Sequence, residues 1–461
     1  MSNAPCLPRP RRRARALAIV TVILVLAIAA SATAAPLAGC GPDPDTGETY
    51  CGERDAAAPE GAALDVEPPL GTTLDRVRAG SEAALEDAAS AFGISDQNDP
   101  AFVDAWRDAR ATGARGLHLH EGRLVVPWNV YTRAKAANPA APASTATRAG
   151  QDLDRWRRVL LEMKKGGFDA PIISFGRQRD LSAARGRVAQ QPLPSPSEYV
   201  VAVAGFLDYI ARLEAADPTG DAYPRLGRFT AWNEPNNRTQ PTATNPRRAG
   251  QYFRALAAYC AGRCSVAAGD FVEQSASREA AAGFHRYFSV YCDGMDGNPD
   301  GRCGYQPLYW AFHPYSCGFR RDTTGVREFV RATARPDGVP GPADPKIWFT
   351  EAGGVVTQHY NVDPDGRRLS RRALVARADG DLEFLLRDCV DVSPRITRFY
   401  VYHWAGSRNL DPSTGRDRGF EANLTDIARP QSADPHNRYR LTPLYCTLKA
   451  AINPGPCRAT A

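Results

Sequence analysis

The chain of 461 residues is short of several things, and each shortage excludes a class of function. Histidine occurs only seven times and no Gly-x-Ser-x-Gly elbow is present, so an exported esterase of the serine type is not expected. The first strand-like run, "AFGISDQND", holds a single glycine. A nucleotide phosphate would need a glycine-rich turn there, so an open doubly wound sheet has no support. One tight cysteine pair, Cys260 and Cys264, lacks a second pair at zinc-finger spacing, which argues against structural zinc. Net charge is also small. Of the formal +6, five charges are arginines (Arg9, Arg11, Arg12, Arg13 and Arg15) that precede the first acid, Asp43, and the rest of the chain carries +1. A near-neutral body gives no electrostatic reason to expect nucleic acid or a polybasic membrane patch.

What is present begins with a leader. Basic "RPRRRARA" precedes apolar "LAIVTVILVLAIAA" and small-residue "SATAAP", the order of a secretory signal. Three forms stay open for residues 1–35. One is a signal cleaved after Ala34, another an uncleaved membrane anchor, since the apolar run is long enough to span a bilayer. The third is a lipoprotein, because "LAGC" ending at Cys40 resembles a lipobox. Beyond Cys6 in the leader, ten cysteines remain, an even number that in an exported protein reads as disulfides. Short separations suggest Cys40–Cys51, Cys260–Cys264, Cys292–Cys303 and Cys446–Cys457, leaving Cys317–Cys389. Residues 36–88, rich in Ala, Gly, Pro and acids, read as a linker that includes a small disulfide loop.

From residue 89 to 461 the texture changes. Strand-like runs at 91–95, 123–130, 170–176, 228–235, 264–271, 308–316, 346–354 and 396–406 alternate with helical patterns at 99–113, 152–167, 195–215, 246–260, 278–292, 324–334, 371–390 and 441–452. Several strands are apolar on both faces, as parallel strands covered by helices must be. Eight strand-helix units predict an α/β fold, a (β/α)8 TIM barrel forming one catalytic domain.

In such a barrel the chemistry lies where strands end. Strand four runs into Trp232-Asn233-Glu234-Pro235 and strand seven into Thr350-Glu351-Ala352. Glutamates at the ends of strands four and seven face each other across the mouth. Two such carboxylates suit glycosidic bond cleavage, one protonating the leaving oxygen and the other attacking the anomeric carbon or activating water. Either glutamate alone would read as a surface acid.

Over residues 90–452 the sequence resembles the retaining glycoside hydrolases of clan A, most closely family thirty-nine-like members, on "WNEPN", "WFTEAGG", "HPY", "VYHWAG" and "VVPWNV". The resemblance implies Glu234 as acid/base, Glu351 as nucleophile and Asn233 as partner of the sugar 2-hydroxyl. It further implies Tyr315 as a hydrogen-bond donor to the nucleophile, His313 as substrate wall, Trp404 as floor of the subsite, and Trp128 and Asn129 near the site. The clan's second-strand arginine, which touches the nucleophile, has Arg123 as nearest candidate, at the start of its strand. No metal or other cofactor is implied. Trp310 and Trp348 precede the strand ends and read as core, Trp232 as either core or contact, and His403 as core or as a neighbour of the site. The partner expected is a carbohydrate, with the membrane involved only through the N-terminal segment. The rival is a non-catalytic carbohydrate-binding barrel at the cell surface, which would keep the aromatics and dispense with a glutamate.

Overall fold

A computed structural model describes residues 40–42, 49–51, 67–96, 116–117, 119, 121–177, 193–273, 278–296, 303, 307–334, 344–356, 369–404, 422, 424–427 and 439–459. The leader and the helix expected over 99–113 lie outside these residues. The chain divides into two units. In the first, Met1–Asp55, Cys40–Pro42 pairs antiparallel with Thr49–Cys51, and Cys40 stands opposite Cys51. The second, Ala56–Ala461, carries the barrel.

Eight parallel strands close on themselves: β1 (Phe92–Ser95), β2 (Glu121–Pro127), β3 (Ile172–Gly176), β4 (Arg228–Thr230), β5 (Ser265–Val272), β6 (Tyr309–His313), β7 (Lys346–Ala352) and β8 (Ile396–Tyr402). β8 pairs with both β7 and β1, which leaves no sheet edge. The expected (β/α)8 barrel is therefore the observed fold. Its interior holds Ile172, Ala267, Tyr309, Ala311, Trp348 and Tyr400, and a larger apolar layer lies between strands and helices. Trp310 and Trp348 are core, as their positions predicted.

The surrounding helices are α1 (Leu70–Arg78), α2 (Glu82–Ala91), α3 (Val130–Ala137), α4 (Arg148–Lys165), α5 (Pro196–Ala216), α6 (Pro246–Cys260), α7 (Arg278–Asp296), α8 (Tyr315–Arg320), α9 (Thr324–Ala332), α10 (Arg371–Phe384) and α11 (Pro443–Ile452). α4 buries Leu153, Trp156, Val159, Leu160 and Met163, one face at helical spacing. α5 starts with the capping box read from sequence: the Ser195 hydroxyl accepts from the Glu198 N–H while the Glu198 carboxylate accepts from the Ser195 N–H. Cys260–Cys264, Cys292–Cys303, Cys317–Cys389 and Cys446–Cys457 are bonded as expected. The expected Cys40–Cys51 pair falls on residues whose side chains are outside the described part. Among the described residues no helix is long and apolar enough to cross a membrane.

Three expectations need correction. Residues 36–88 are not linker throughout: α1 and α2 occupy the C-terminal part, and α2 runs straight into β1. The alanines that suggested a stalk are its buried face, Ala84, Ala88, Ala89 and Ala91. Just before α1, the Glu67 carboxylate closes the end of the barrel opposite the mouth. It accepts from Trp348 Nε1 at 3.0 Å, Thr397 Oγ1 at 2.7 Å and Arg398 Nε at 2.7 Å. Strand two stops at Pro127, and Val130 already opens α3. Strand four is three residues long, because the chain leaves the ladder after Thr230 and turns.

Candidate active site

The turn after β4 is held by neighbours on both sides. The Asn233 N–H donates to the Phe175 carbonyl at 2.6 Å, and the Glu234 N–H donates to the Asp270 carbonyl at 3.0 Å. Glu234 has φ of 48°, in the left-handed region. That conformation costs a non-glycine residue roughly 1–2 kcal/mol and the αR alternative is disfavoured before proline, here Pro235. The surrounding hydrogen bonds hold Glu234 in this strained conformation.

The Glu234 carboxylate accepts from Asn237 Nδ2 at 2.7 Å through Oε2, while Oε1 lies 3.2 Å from His313 Nδ1. Asn237 is held in turn by the Thr239 N–H and hydroxyl on its Oδ1. Asn236 acts differently. Its amide makes two hydrogen bonds to the Val272 backbone and ties the turn to β5.

Glu351, inside β7, takes Arg123 NH1 on Oε1 at 2.5 Å and the Tyr315 hydroxyl on Oε2 at 3.3 Å. Oxygens of Glu234 and Glu351 and a nitrogen of His313 all lie within 4.8 Å of one another. The side chain of Glu234 is 17% exposed and that of Glu351 8%, so both reach the mouth but neither is bathed in water.

Arg123 is the clearest gain over the sequence. The strand begins two residues earlier than expected, at Glu121, so Arg123 is an interior strand residue with a fully buried side chain. Its long stem carries the guanidinium to Glu351, to Asp270 Oδ2 at 2.6 Å, to Asn233 Oδ1 at 2.7 Å and to Ser95 Oγ at 2.9 Å. Burial works against its charge, but Asp270 and Glu351 more than offset this and push its pKa up. Arg123 occupies Asn233 Oδ1, so the amide of Asn233 is oriented with its oxygen toward the guanidinium.

Other expectations are met in part. Tyr315 donates to Glu351 as expected, and burial pushes its hydroxyl pKa well up, so it stays a donor. His313 is fully buried and is no substrate wall. It sits behind the two glutamates, with Nε2 at 3.0 Å from Asp270 Oδ1. Burial lowers its basicity, yet Glu351 and Asp270 outweigh that and raise its pKa to about 9. The ring is thus an imidazolium with a proton on each nitrogen. Oxygens of Glu234 and Glu351 and a ring nitrogen of His313 are close enough to share a cation.

Trp404 is also fully buried, edge-on to Tyr445, so it presents no open floor. Trp232 is core as well, stacked on Tyr252. His403 is buried, and burial lowers its pKa, which keeps it neutral. Trp128 is half-buried where β2 ends, its backbone N–H on the Gly176 carbonyl at 2.9 Å, and Asn129 stands at the N-cap position of α3 without a side-chain cap hydrogen bond. Both follow the C-terminal end of β2.

The chain matches no known family profile and no curated protein. Among solved structures it is similar to an endo-β1,6-glucanase at 12% identity and TM-score 0.46, covering 79% of this chain and 75% of that one. It is similar to the GH39 enzyme from Xanthomonas axonopodis pv. citri at 12% identity and TM-score 0.42, over 78% of this chain and 65% of that one. The Penicillium canescens endo-1,4-β-xylanase XylE is alike at 11% identity and TM-score 0.43, over 85% of this chain and 99% of that one. At such distance the likeness concerns the fold.

Sequence reasoning missed Asp270, Asn237, Ser174, Thr230 and Thr350. Asp270 had a signal: it lies near the end of a strand-like run otherwise apolar, "SVAAGDFV". The others are ordinary polar residues whose value comes only from what they touch.

Proposed function

We propose that this protein is a retaining glycoside hydrolase acting on an extracellular poly- or oligosaccharide, with Glu351 as nucleophile and Glu234 as acid/base. One observation carries the reading: a carboxylate in the turn after β4 and another near the end of β7, with an oxygen of one within 4.8 Å of an oxygen of the other and with different surroundings. A retaining pair stands about 5–5.5 Å apart, whereas an inverting pair needs about 6.5–9.5 Å to admit water. Arg123 and Tyr315 aim donors at Glu351 and hold its two oxygens in place, which suits a nucleophile. Asn237 and His313 hold Glu234 at the mouth.

In the first step a Glu351 oxygen bonds to the anomeric carbon while the carbon–oxygen bond to the leaving sugar breaks. Glu234 gives its proton to that oxygen. In the second, Glu234 takes a proton from water, the water oxygen bonds to the anomeric carbon, and Glu351 leaves as carboxylate. One water is consumed and Glu234 regains its proton. Asn233 Nδ2 faces the sugar 2-hydroxyl, and Trp128 and Asn129 border the subsite. Asn233-Glu234-Pro235 supports a place beside the family thirty-nine-like members of clan A. The leader and the disulfides support export.

Hydrolysis of aryl glycosides and a polysaccharide panel tests the reading. Glu234→Gln and Glu351→Gln should each lose at least about 10²-fold in kcat. A fluoro-sugar that traps the glycosyl-enzyme should label Glu351. Unchanged turnover in both variants, binding without turnover in the wild type, or a product of inverted configuration would reject it.

A further inference from the structure

Asp270 is the most heavily hydrogen-bonded side chain at the site and touches neither solvent nor the mouth. Oδ2 accepts from Arg123 NH2 at 2.6 Å, Ser174 Oγ at 2.5 Å and Thr230 Oγ1 at 2.9 Å. Oδ1 meets His313 Nε2 at 3.0 Å and accepts from Thr350 Oγ1. Ser174 Oγ and Thr230 Oγ1 also lie 2.5 Å from each other, so the two hydroxyls and Oδ2 form one hydrogen-bonded cluster around the carboxylate. Burial alone would push this carboxyl up, but Arg123 and His313 hold it well below the usual carboxylate range.

The backbone is shaped to put it there. β5 slips register between Gly269 and Phe271, making Asp270 the extra residue of a bulge. Gly269 and Asp270 have φ of 88° and 74°. Phe271 consequently packs outward against Phe284, Tyr291 and Trp310 while the aspartate turns inward. The Asp270 carbonyl also receives the Glu234 N–H.

We propose that Asp270 is a positioning residue that sets both catalytic glutamates at once, holding Arg123 against Glu351 and His313 against Glu234. The inference rests on the enzymatic reading above. Its physical content is a charge balance. The groups facing His313 are Glu234 from the turn after β4, Asp270 from β5, Glu351 from β7 and Tyr315 from α8, with Arg123 of β2 beyond Asp270. Arg123 and His313 bring two positive charges, Asp270 and Glu351 two negative ones. The cluster is neutral when Glu234 holds its proton. It is neutral again when Glu351 is esterified and Glu234 ionised. Asp270 supplies the fixed charge that makes both states of the cycle balanced.

The test is Asp270→Asn, which keeps the shape and removes the charge. kcat should fall about 10²-fold through misplacement of both glutamates, with KM little changed because Asp270 meets no substrate. The fixed charge of Asp270, as distinct from its bulk, is read from the protonation of His313, its direct partner. In histidine-labelled protein followed by NMR, His313 should titrate near 9 in the wild type. In the variant it should titrate lower by about one unit or more. If Asp270→Asn shows no cooperative melting, Ser174→Ala and Thr350→Val each remove one donor and should lower kcat severalfold without raising KM. Wild-type turnover in the folded variant, or an unmoved His313, overturns the inference. If the wild type cleaves no glycoside at all, the enzymatic reading fails alone. The His313 titration then decides on Asp270 by itself, a shift upholding its role and no shift overturning it.

Discussion

Replacing Glu67 with alanine would remove the carboxylate that seals the barrel end opposite the mouth. Three donors lose their acceptor: Trp348 Nε1, Thr397 Oγ1 and Arg398 Nε. Removing one partner of a buried ion pair costs about 3–5 kcal/mol. The low end applies, since Arg398 keeps Glu121 at 3.2 Å and the Ser90 carbonyl at 3.1 Å. In a domain this large each kcal/mol moves Tm by roughly 1–2 °C, so about 3 kcal/mol becomes a fall of about 3–6 °C. Calorimetry on the full chain measures it, while kcat should stay at the wild-type value because Glu67 is remote from the mouth. Acid should erase the difference from Glu67→Gln. Burial pushes Glu67 up, but Arg398 and the hydrogen bonds from Thr397, Arg398 and Trp348 bring it below its ordinary value. Its stabilisation is therefore complete above about pH 4.3 and is lost as pH falls through the lowered value. A Tm within about 1 °C of wild type at neutral pH would refute the claim that this segment is structural.

Asp381 in α10 gives the opposite sign. Burial pushes its pKa up to about 7, and Arg377 and Arg321 only partly counter it. Ionising it costs stability, a cost absent below about pH 4 and growing as pH rises through 7. Asp381→Asn should raise Tm at pH 8 and leave it unchanged at pH 4; equal effects at both would refute the assignment. The Cys317–Cys389 bridge closes a separation of 72 residues and anchors α8, whose first residue is Tyr315. Replacing both cysteines by serine should cost about 4 kcal/mol. It should also lower kcat, because Tyr315 no longer sits firmly on Glu351; a melting point unchanged on replacement would contradict this.

The barrel was legible because its signal is periodic and repeated. Eight apolar runs recur between helical patterns, and parallel strands buried on both faces have few other ways to close. Glu234 and Glu351 were legible because each interrupts such a run at its end, next to proline or small residues. Asp270 left a mark only as an acid near the end of the apolar run "SVAAGDFV", and nothing in that run says that a bulge turns it inward. Arg123 was discounted because strand boundaries read from sequence are uncertain by a residue or two, and its side chain is long enough to make that decisive. His313 and Trp404 were placed at the substrate because their motifs stand at the mouth. Motif position does not say which way a ring turns, and here both rings turn inward.

By itself, then, the sequence determined the eight-stranded architecture and the two strand ends that carry carboxylates, while short cysteine separations only suggested disulfide partners. These depend on local pattern and spacing, which the chain states directly. Only the tertiary structure decided that the alanine-rich approach is helical and that Glu67 plugs the barrel. It alone brought Arg123, Asp270 and His313 into one buried network beneath the glutamates. Those residues are separated by up to 190 positions or lie on different strands, as Arg123 at β2 and His313 at β6 do. Their charges are tolerable in the interior only because closure of the barrel supplies each with its partner.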